Sequence, residues 1–261
     1  MKDKRVACYV LRRCSSVSRF TYYLLLLFSL GLLVACGGNE EPVTPTINPD
    51  IPPTVTPTPT EVLTQAAETM LALDGVQIEF SRSGGLVYID EDGLLVFSEA
   101  TVLFSAPDRV QARVKALTSN TALELGFIAI GTDKWLTNPA TQAWERLPDN
   151  IQLNLALLFD ETEGWRPLLT TDASNIEWVE TTSFGGVTRD HYRATVAGVR
   201  AAAITSNLVP PQDITLDIYI DPATHHVTQL EFATPTASDE DAEWVLQFSE
   251  FGLDVEIVAP E

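Results

Sequence analysis

The chain has 261 residues, with 16 Lys and Arg against 36 Asp and Glu, so its formal net charge is −20. Binding to the phosphate backbone of nucleic acid needs clustered basic side chains, and this excess of acids excludes that class of protein. Hydrophobic residues make up 45% of the chain, and the length of the chain is enough for one sizeable domain with its own core.

The first 35 residues have the layout of a bacterial lipoprotein signal peptide. Six basic residues and one acid precede an apolar stretch from Tyr22 to Val34, which is shorter than the roughly 20 residues of a spanning helix. The stretch ends in Leu33-Val34-Ala35-Cys36, a pattern typical of cleavage before the cysteine. We therefore expect residues 1–35 to be removed and Cys36 to carry the lipid, with an uncleaved membrane anchor as the alternative.

Processing at Cys36 decides what chemistry cysteine can supply. Cys8 and Cys14 lie in the removed segment, and acylation blocks the thiol of Cys36. The mature chain is therefore expected to have no disulfide, no thiolate nucleophile and no cysteine metal site. Its net charge becomes −25 because the removed segment is basic, so acyl chains rather than a basic patch would hold it at the membrane.

The segment 36–60 is predicted to be an extended tether. Residues 39–60 contain seven prolines and six threonines, a composition that cannot form a core and favours polyproline II. At about 3.1 Å per residue, this segment spans on the order of 60 Å. The folded domain is then expected to occupy residues 61–261 on the extracytoplasmic side of the membrane.

Apolar periodicity changes from helical to alternating at Gly75. Apolar residues recur at helical spacing between Val62 and Leu73, which predicts an amphipathic helix that starts at Thr60. Beyond Gly75, alternating segments separated by short turns predict antiparallel strands. These segments are Val76–Ser81, Leu86–Ile89, Leu94–Phe104, Arg109–Leu117, Thr121–Ile130, Ile176–Thr182, Val187–Val196, Thr215–Ile220, Val227–Phe232, Trp244–Phe251 and Val255–Val258.

Three further segments, Leu153–Phe159, Gly164–Leu169 and Val199–Ser206, are predicted to contain short helices. The predicted fold is therefore α+β, with a single curved antiparallel sheet of about ten strands and a few helices on its concave face. No internal repeat and no second linker interrupts the region, so we expect one domain.

The number of helices bears on function. Three short helices would leave part of a concave sheet uncovered, and an uncovered apolar concavity is a lipid-sized pocket. The alternative is that side chains fill this space, and the sequence pattern favours neither. The five tryptophans fit core packing better than a ligand site.

The sequence contains no motif that indicates catalysis. It has no His-Glu-x-x-His, no nucleophile elbow and no Walker loop. His191 lies in a predicted strand, and the adjacent His225 and His226 would point to opposite faces of a strand, which makes a poor joint metal site. We therefore expect no enzyme activity, no metal and no cofactor.

Four motifs follow one another along roughly residues 60–260. They are the helix Val62–Met70 after the tether, the pair Ile130–Trp135 and Asn138–Trp144, the segment Phe159–Leu169, and Ile218–Thr224 with the ending Phe248–Phe251 to Ala259-Pro260. Together with the cysteine signal, they resemble the LppX/LprA/LprF/LprG lipoproteins of mycobacteria. Those lipoproteins share the half-barrel fold of the carriers LolA and LolB.

This resemblance implies a curved sheet wrapped around helices, with a cavity that accepts the acyl chains of a lipid or glycolipid. Family members are associated with moving or presenting such lipids in the cell envelope, and they have no catalytic residues. The resemblance therefore implies a lipid ligand and a membrane attachment through acylated Cys36. We also expect an envelope transporter as a partner, and a monomer.

Six residues are predicted to face the concavity and contact the ligand. By strand alternation they are Val76, Ile78, Phe80, Leu123, Leu125 and Phe127. The alternative from another class is a non-catalytic surface lipoprotein whose acidic face docks a protein partner and whose core is closed.

Overall fold

The computed structural model describes residues 56–90, 92–147, 156–236 and 240–260. The described residues belong to one compact unit, Val55–Glu261. The predicted signal peptide, Cys36, most of the tether and residues 153–155 of one predicted helix lie outside the described residues. Within the described ranges, no helix has the length and hydropathy needed to cross a membrane.

The described ranges contain three α-helices, one 3-10 helix and eleven strands. The helices are α1 (Pro59–Leu71), α2 (Trp165–Leu169) and α3 (Gly198–Ile204), and the 3-10 helix is Leu157–Phe159. The strands are β1 (Gly75–Gly84), β2 (Val96–Ser105), β3 (Arg109–Leu117), β4 (Ala122–Ile130), β5 (Asp133–Thr137), β6 (Trp144–Arg146), β7 (Ala173–Phe184), β8 (Val187–Val196), β9 (Ile214–Ile220), β10 (Val227–Thr234) and β11 (Ala242–Ser249). The predicted α+β class is confirmed.

A capping box starts α1 at Pro59. The Glu61 carboxylate accepts a hydrogen bond from the Thr58 amide at 2.7 Å, and the Thr58 hydroxyl oxygen accepts one from the Glu61 amide at 3.3 Å. These bonds satisfy amides that the first turn leaves free, and the bonds from the Thr58 amide and hydroxyl hold the pKa of Glu61 below its usual range. The buried face of α1 packs on α2 and β7, and its residues are Leu63, Ala66, Ala67 and Met70.

All eleven strands belong to one antiparallel sheet, in the order β6-β5-β4-β3-β2-β1-β11-β10-β9-β8-β7. β1 is central, because it pairs with β2 on one side and with β11 on the other. The chain runs outwards from β1 to the edge strand β6, passes to the other edge at β7, and returns to the centre at β11. β6 and β7 are opposite edges, so the sheet is open, as expected for a half-barrel.

The core lies on one face of the sheet, which we call the inner face. Along β1, Val76, Ile78 and Phe80 are buried on this face, whereas the residues between them are half-buried or exposed on the outer face. The pairing register continues these apolar rows into β2, β3 and β4 on one side and into β11 on the other. The short helices pack on the inner face, where Phe159 stacks on Phe104 with ring centroids 3.8 Å apart.

The prediction of a strand at Leu86–Ile89 is wrong. This segment contributes only an isolated bridge between Tyr88 and Val96. The Asp90 carboxylate accepts hydrogen bonds from the amides of Leu94 and Leu95, at 3.0 and 2.7 Å. These bonds close a local turn. The side chain of Asp90 thereby takes up amides that a longer strand pairing would use, and the ladder does not extend.

The prediction of a strand at Val255–Val258 is also wrong. The C-terminal segment passes the start of β1, where the Gly252 amide donates to the Gly75 carbonyl at 2.8 Å. Both edges of β1 are already paired with β2 and β11, so the segment has no strand edge there to join. Two short strands that the pattern did not single out, β5 and β6, bring the sheet to eleven strands.

Candidate functional site

A small apolar cavity of about 30 Å³ lies between the inner face of the sheet and the short helices. The sheet side of its wall comes from the three central strands and consists of Ile78, Phe80, Val102 and Leu246. The opposite side, which we call the cover, comes from the 3-10 helix, α3 and the residues that follow α3. Its lining residues are Leu158, Ala203, Ile204 and Ser206.

Polar contacts at its N-terminus fix α3 in the cover. The Gly198 amide donates to the Asp213 carboxylate at 2.9 Å. A side chain at Gly198 would meet the backbone of Gln212, with the nearest atom 2.4 Å from the added carbon. Glycine therefore allows α3 to start in close contact with the strand connection.

Arg200 ties α3 to the segments on either side of α2. Its guanidinium contacts the carboxylate of Asp172 and donates to the Glu163 carboxylate at 2.8 Å. The Arg200 side chain is only 11% exposed. Burial opposes its charge, but the hydrogen bonds with Asp172 and Glu163 outweigh that effect and raise its pKa. Arg200 is therefore a second polar attachment of α3, besides the bond from Gly198 to Asp213.

Aromatic side chains from β1, β2 and β11 pack against one another beside the cavity. Phe80 contacts Phe97 and Trp244, with ring centroids 5.1 and 5.3 Å apart. Trp244 is 1% exposed, and its indole N–H donates to the hydroxyl oxygen of Thr234 at 2.8 Å. This hydrogen bond lets a large side chain with a polar atom lie in an apolar interior.

The six predicted ligand-contacting residues all lie on the inner face, but they do not all line the cavity. Ile78 and Phe80 line it. Val76 and Phe127 are fully buried in the core, Leu125 is buried and Leu123 is half-buried. The register explains their common face, because each of them belongs to an apolar row that continues across β2 and β3.

Sequence alternation missed the remaining cavity-lining residues. Val102 and Leu246 lie opposite Ile78 and Phe80 in the sheet register. A signal for Val102 exists because β1 and β2 follow one another along the chain, whereas Leu246 requires knowledge that β11 pairs with β1. Nothing in the local pattern of α3 indicates which of its residues face the sheet, because it is rich in alanine.

The histidines make structural contacts on the outer face and in a turn. His191 is buried and its Nε2 lies 2.7 Å from an oxygen of Asp217, which also pairs with Arg193. His226 stacks on Phe251 with ring centroids 4.2 Å apart, and burial lowers its pKa. In the part of the chain that the structure describes, no group of three His, Cys, Asp or Glu residues is arranged to hold a metal ion.

A wider cleft of about 600 Å³ lies on the outer face of β9, β10 and β11. Its lining includes four carboxylates, from Asp213, Asp217, Glu231 and Glu243. This cleft is the acidic surface to which the alternative prediction, the docking of a protein partner, would apply.

No protein-family model matches the chain, and no curated protein matches it in sequence. Solved structures do match it in fold. The lipoprotein LppX of Mycobacterium tuberculosis aligns with 78% of this chain and 100% of its own, at 13% identity and a TM-score of 0.55. LprF of Mycobacterium bovis aligns with 78% of this chain and 98% of its own, at 12% identity and a TM-score of 0.56. The resemblance predicted from the motifs is confirmed for the architecture, and the chain has the open, helix-covered sheet of LppX and LprF.

Proposed function

We propose that this chain is a membrane-anchored extracytoplasmic lipoprotein that binds acyl chains of a lipid or glycolipid and carries or presents the lipid in the cell envelope. The observation that carries the proposal is the apolar cavity between an open sheet and a thin cover of short helices. The likeness in fold to the lipoprotein LppX supports it. The proposed role is non-catalytic, and a monomeric state and an envelope transporter as partner belong to the same proposal.

The cavity must widen to hold a lipid. Its volume of about 30 Å³ is close to that of one water molecule, whereas ligand pockets commonly enclose roughly 300–1,000 Å³. The sheet is held by continuous strand pairing, so the cover is the part that can move. We therefore propose that the structure represents the closed, ligand-free form and that the cover moves away from β1 when an acyl chain enters.

The composition of α3 limits the free energy of the apolar contacts that this movement breaks. Three of its residues are alanines, Ala201, Ala202 and Ala203, so its contacts with the core involve mostly methyl groups. Burying one methylene contributes about 0.8 kcal/mol, and an acyl chain has many methylenes. A few methylenes of the ligand would therefore offset the apolar contacts that α3 loses.

The membrane anchor is proposed at Cys36. Two acyl chains on this residue hold a protein stably at a bilayer, and the predicted tether places the domain at a distance from it. The mass of the N-terminal peptide of the processed protein tests this part: a lipid-modified Cys36 supports it, and an unmodified Cys36 contradicts it.

Docking of a basic protein partner on the outer cleft is the second candidate function. Four carboxylates line that cleft, and the small volume of the inner cavity is what a closed core would show. The two candidates differ in which face of the sheet is used, so a variant that blocks only the inner cavity distinguishes them.

Ala203→Phe tests the proposal, because it places a ring at the cavity wall. Residues 55–261 form a compact unit that contains the whole described core, so this segment is expressed alone and its co-purifying lipids are measured by native mass spectrometry. The wild type is expected to retain acyl lipids, and the variant to lose them.

Val199→Phe is the matched control, because it adds the same ring to the same helix at a position that is 58% exposed. This variant is expected to retain lipid like the wild type. If Ala203→Phe retains as much lipid as the wild type, the proposed site is contradicted. A wild type that stays free of lipid when it is supplied with vesicles also contradicts the site, and either result favours the second candidate.

A further inference from the structure

Trp165, the first residue of α2, has a buried hydrogen-bond donor without an acceptor. Its side chain is 0% exposed, and no hydrogen-bond partner for its indole N–H occurs among the described residues. The other fully buried tryptophan, Trp244, donates to Thr234 at 2.8 Å. Buried donors are nearly always paired in folded proteins, so an unpaired one needs an explanation, and an acceptor that a bound ligand supplies is one.

Trp165 does not itself line the cavity, but it contacts two aromatic side chains that adjoin the lining residues. Its indole meets the rings of Phe248 and Phe159 at steep angles, with centroids 5.2 and 6.3 Å away. Phe248 pairs with the cavity-lining Ile78, and Phe159 follows the cavity-lining Leu158. A ligand that widens the cavity along β11 and the 3-10 helix therefore comes next to the indole.

We infer that the indole N–H of Trp165 donates a hydrogen bond to the ester carbonyl oxygen of the bound acyl lipid. This inference rests on the proposed function and names the ligand class, an acyl ester. An acyl ester has a strong neutral acceptor at the head of each chain, and a single uncharged donor matches it. A free carboxylate fits less well, because one neutral donor in apolar surroundings does not offset the desolvation of its charge.

Trp165→Phe tests the inference, since it keeps an aromatic ring and removes the donor. Binding of dipalmitoyl phosphatidylcholine is compared with binding of its dihexadecyl ether analogue, which has no carbonyl. Both lipids are supplied from vesicles to residues 55–261 and measured by native mass spectrometry. The wild type is expected to prefer the ester by roughly tenfold, as for one buried hydrogen bond. The variant is expected to lose this preference while its affinity for the ether is unchanged.

The outcomes separate this inference from the proposed function. A variant that retains the wild-type preference, or that loses affinity for both lipids equally, overturns the role of Trp165 but leaves lipid binding in place. A wild type that binds neither lipid overturns the proposed function and this inference together.

Thermal stability of the ligand-free protein provides a control for folding. Trp165→Phe removes an unpaired donor, whereas Trp244→Phe breaks a hydrogen bond and leaves the Thr234 hydroxyl without its donor. The melting temperature is therefore expected to fall less for Trp165→Phe than for Trp244→Phe. An equal or larger fall for Trp165→Phe would mean that the indole N–H already has a partner in the closed form, such as the face of the Phe248 ring. That result would also overturn the inference.

Discussion

At the scale of single residues, hydrogen bonding decides how polar atoms are accommodated in the apolar interior. Trp244 lies among Phe80, Phe97 and Phe232, and its one polar atom is paired with Thr234. Thr234 is 0% exposed, so no water replaces it if its hydroxyl is removed. The pairing of β10 with β11 places the two residues two positions apart across the strands.

Thr234→Val tests the contribution of this hydrogen bond. Valine has nearly the same shape, so the change mainly leaves the Trp244 N–H unpaired, and we expect a loss of about 1–3 kcal/mol in the free energy of unfolding. Thr234→Ser, which keeps the hydroxyl, is the control and should lose less. Denaturant unfolding measures both variants, and equal stability of Thr234→Val and the wild type would contradict the role of this bond.

At the scale of elements, strand pairing holds the sheet rigidly, whereas the cover depends on few contacts. α3 contributes mainly small apolar side chains and is attached through Arg200 to Asp172 and Glu163. A seven-residue helix has little stability of its own. Its position therefore depends on this ion-pair cluster and on the bond from the Gly198 amide to Asp213, which both lie outside the cavity.

Arg200→Met tests whether the cluster controls opening of the cover. The variant keeps much of the aliphatic side chain and removes the charge, so we expect a loss of about 1–3 kcal/mol in stability and faster uptake of a fluorescent fatty-acyl probe in stopped-flow mixing. Arg166→Met is the control, because Arg166 pairs with Glu68 on α1 at an exposed site and should change stability by about 1 kcal/mol or less. Reduced stability without faster uptake would show that the cover does not open at α3.

The hairpin between β9 and β10 supplies a pH-dependent contact. Burial of His226 lowers its pKa below the usual value near 6.5, although Asp221 acts in the opposite direction. The unfolded chain therefore binds a proton more readily, and stability is expected to fall as pH decreases from about 7 through 6.5. His226→Phe keeps an aromatic ring against Phe251 and removes the titration. A stability slope between pH 7.5 and about 5.5 that is as steep in the variant as in the wild type would contradict this assignment.

At the scale of the whole molecule, alternation in the sequence predicted the fold class, most strands and the face on which the apolar residues lie. It could not predict that β1 pairs with β11, because these strands are separated by more than 150 residues and the alternation of one strand does not identify its partner. That pairing brings Leu246 next to Phe80 and completes the cavity wall. The short helices of the cover were predicted, but the short strands β5 and β6 and the side of α3 that lines the cavity were not, since tertiary packing rather than local periodicity determines them.

A crystal structure of residues 55–261 with a bound diacyl lipid tests the central claim most directly, because it locates the acyl chains and measures the cavity. We predict that the chains lie between β1 and α3, in contact with Ile78 and Phe80, and that the cavity has grown from about 30 Å³ to the several hundred that a lipid pocket needs. An inner cavity that keeps its present volume, with the lipid on the outer face or absent, would contradict the account.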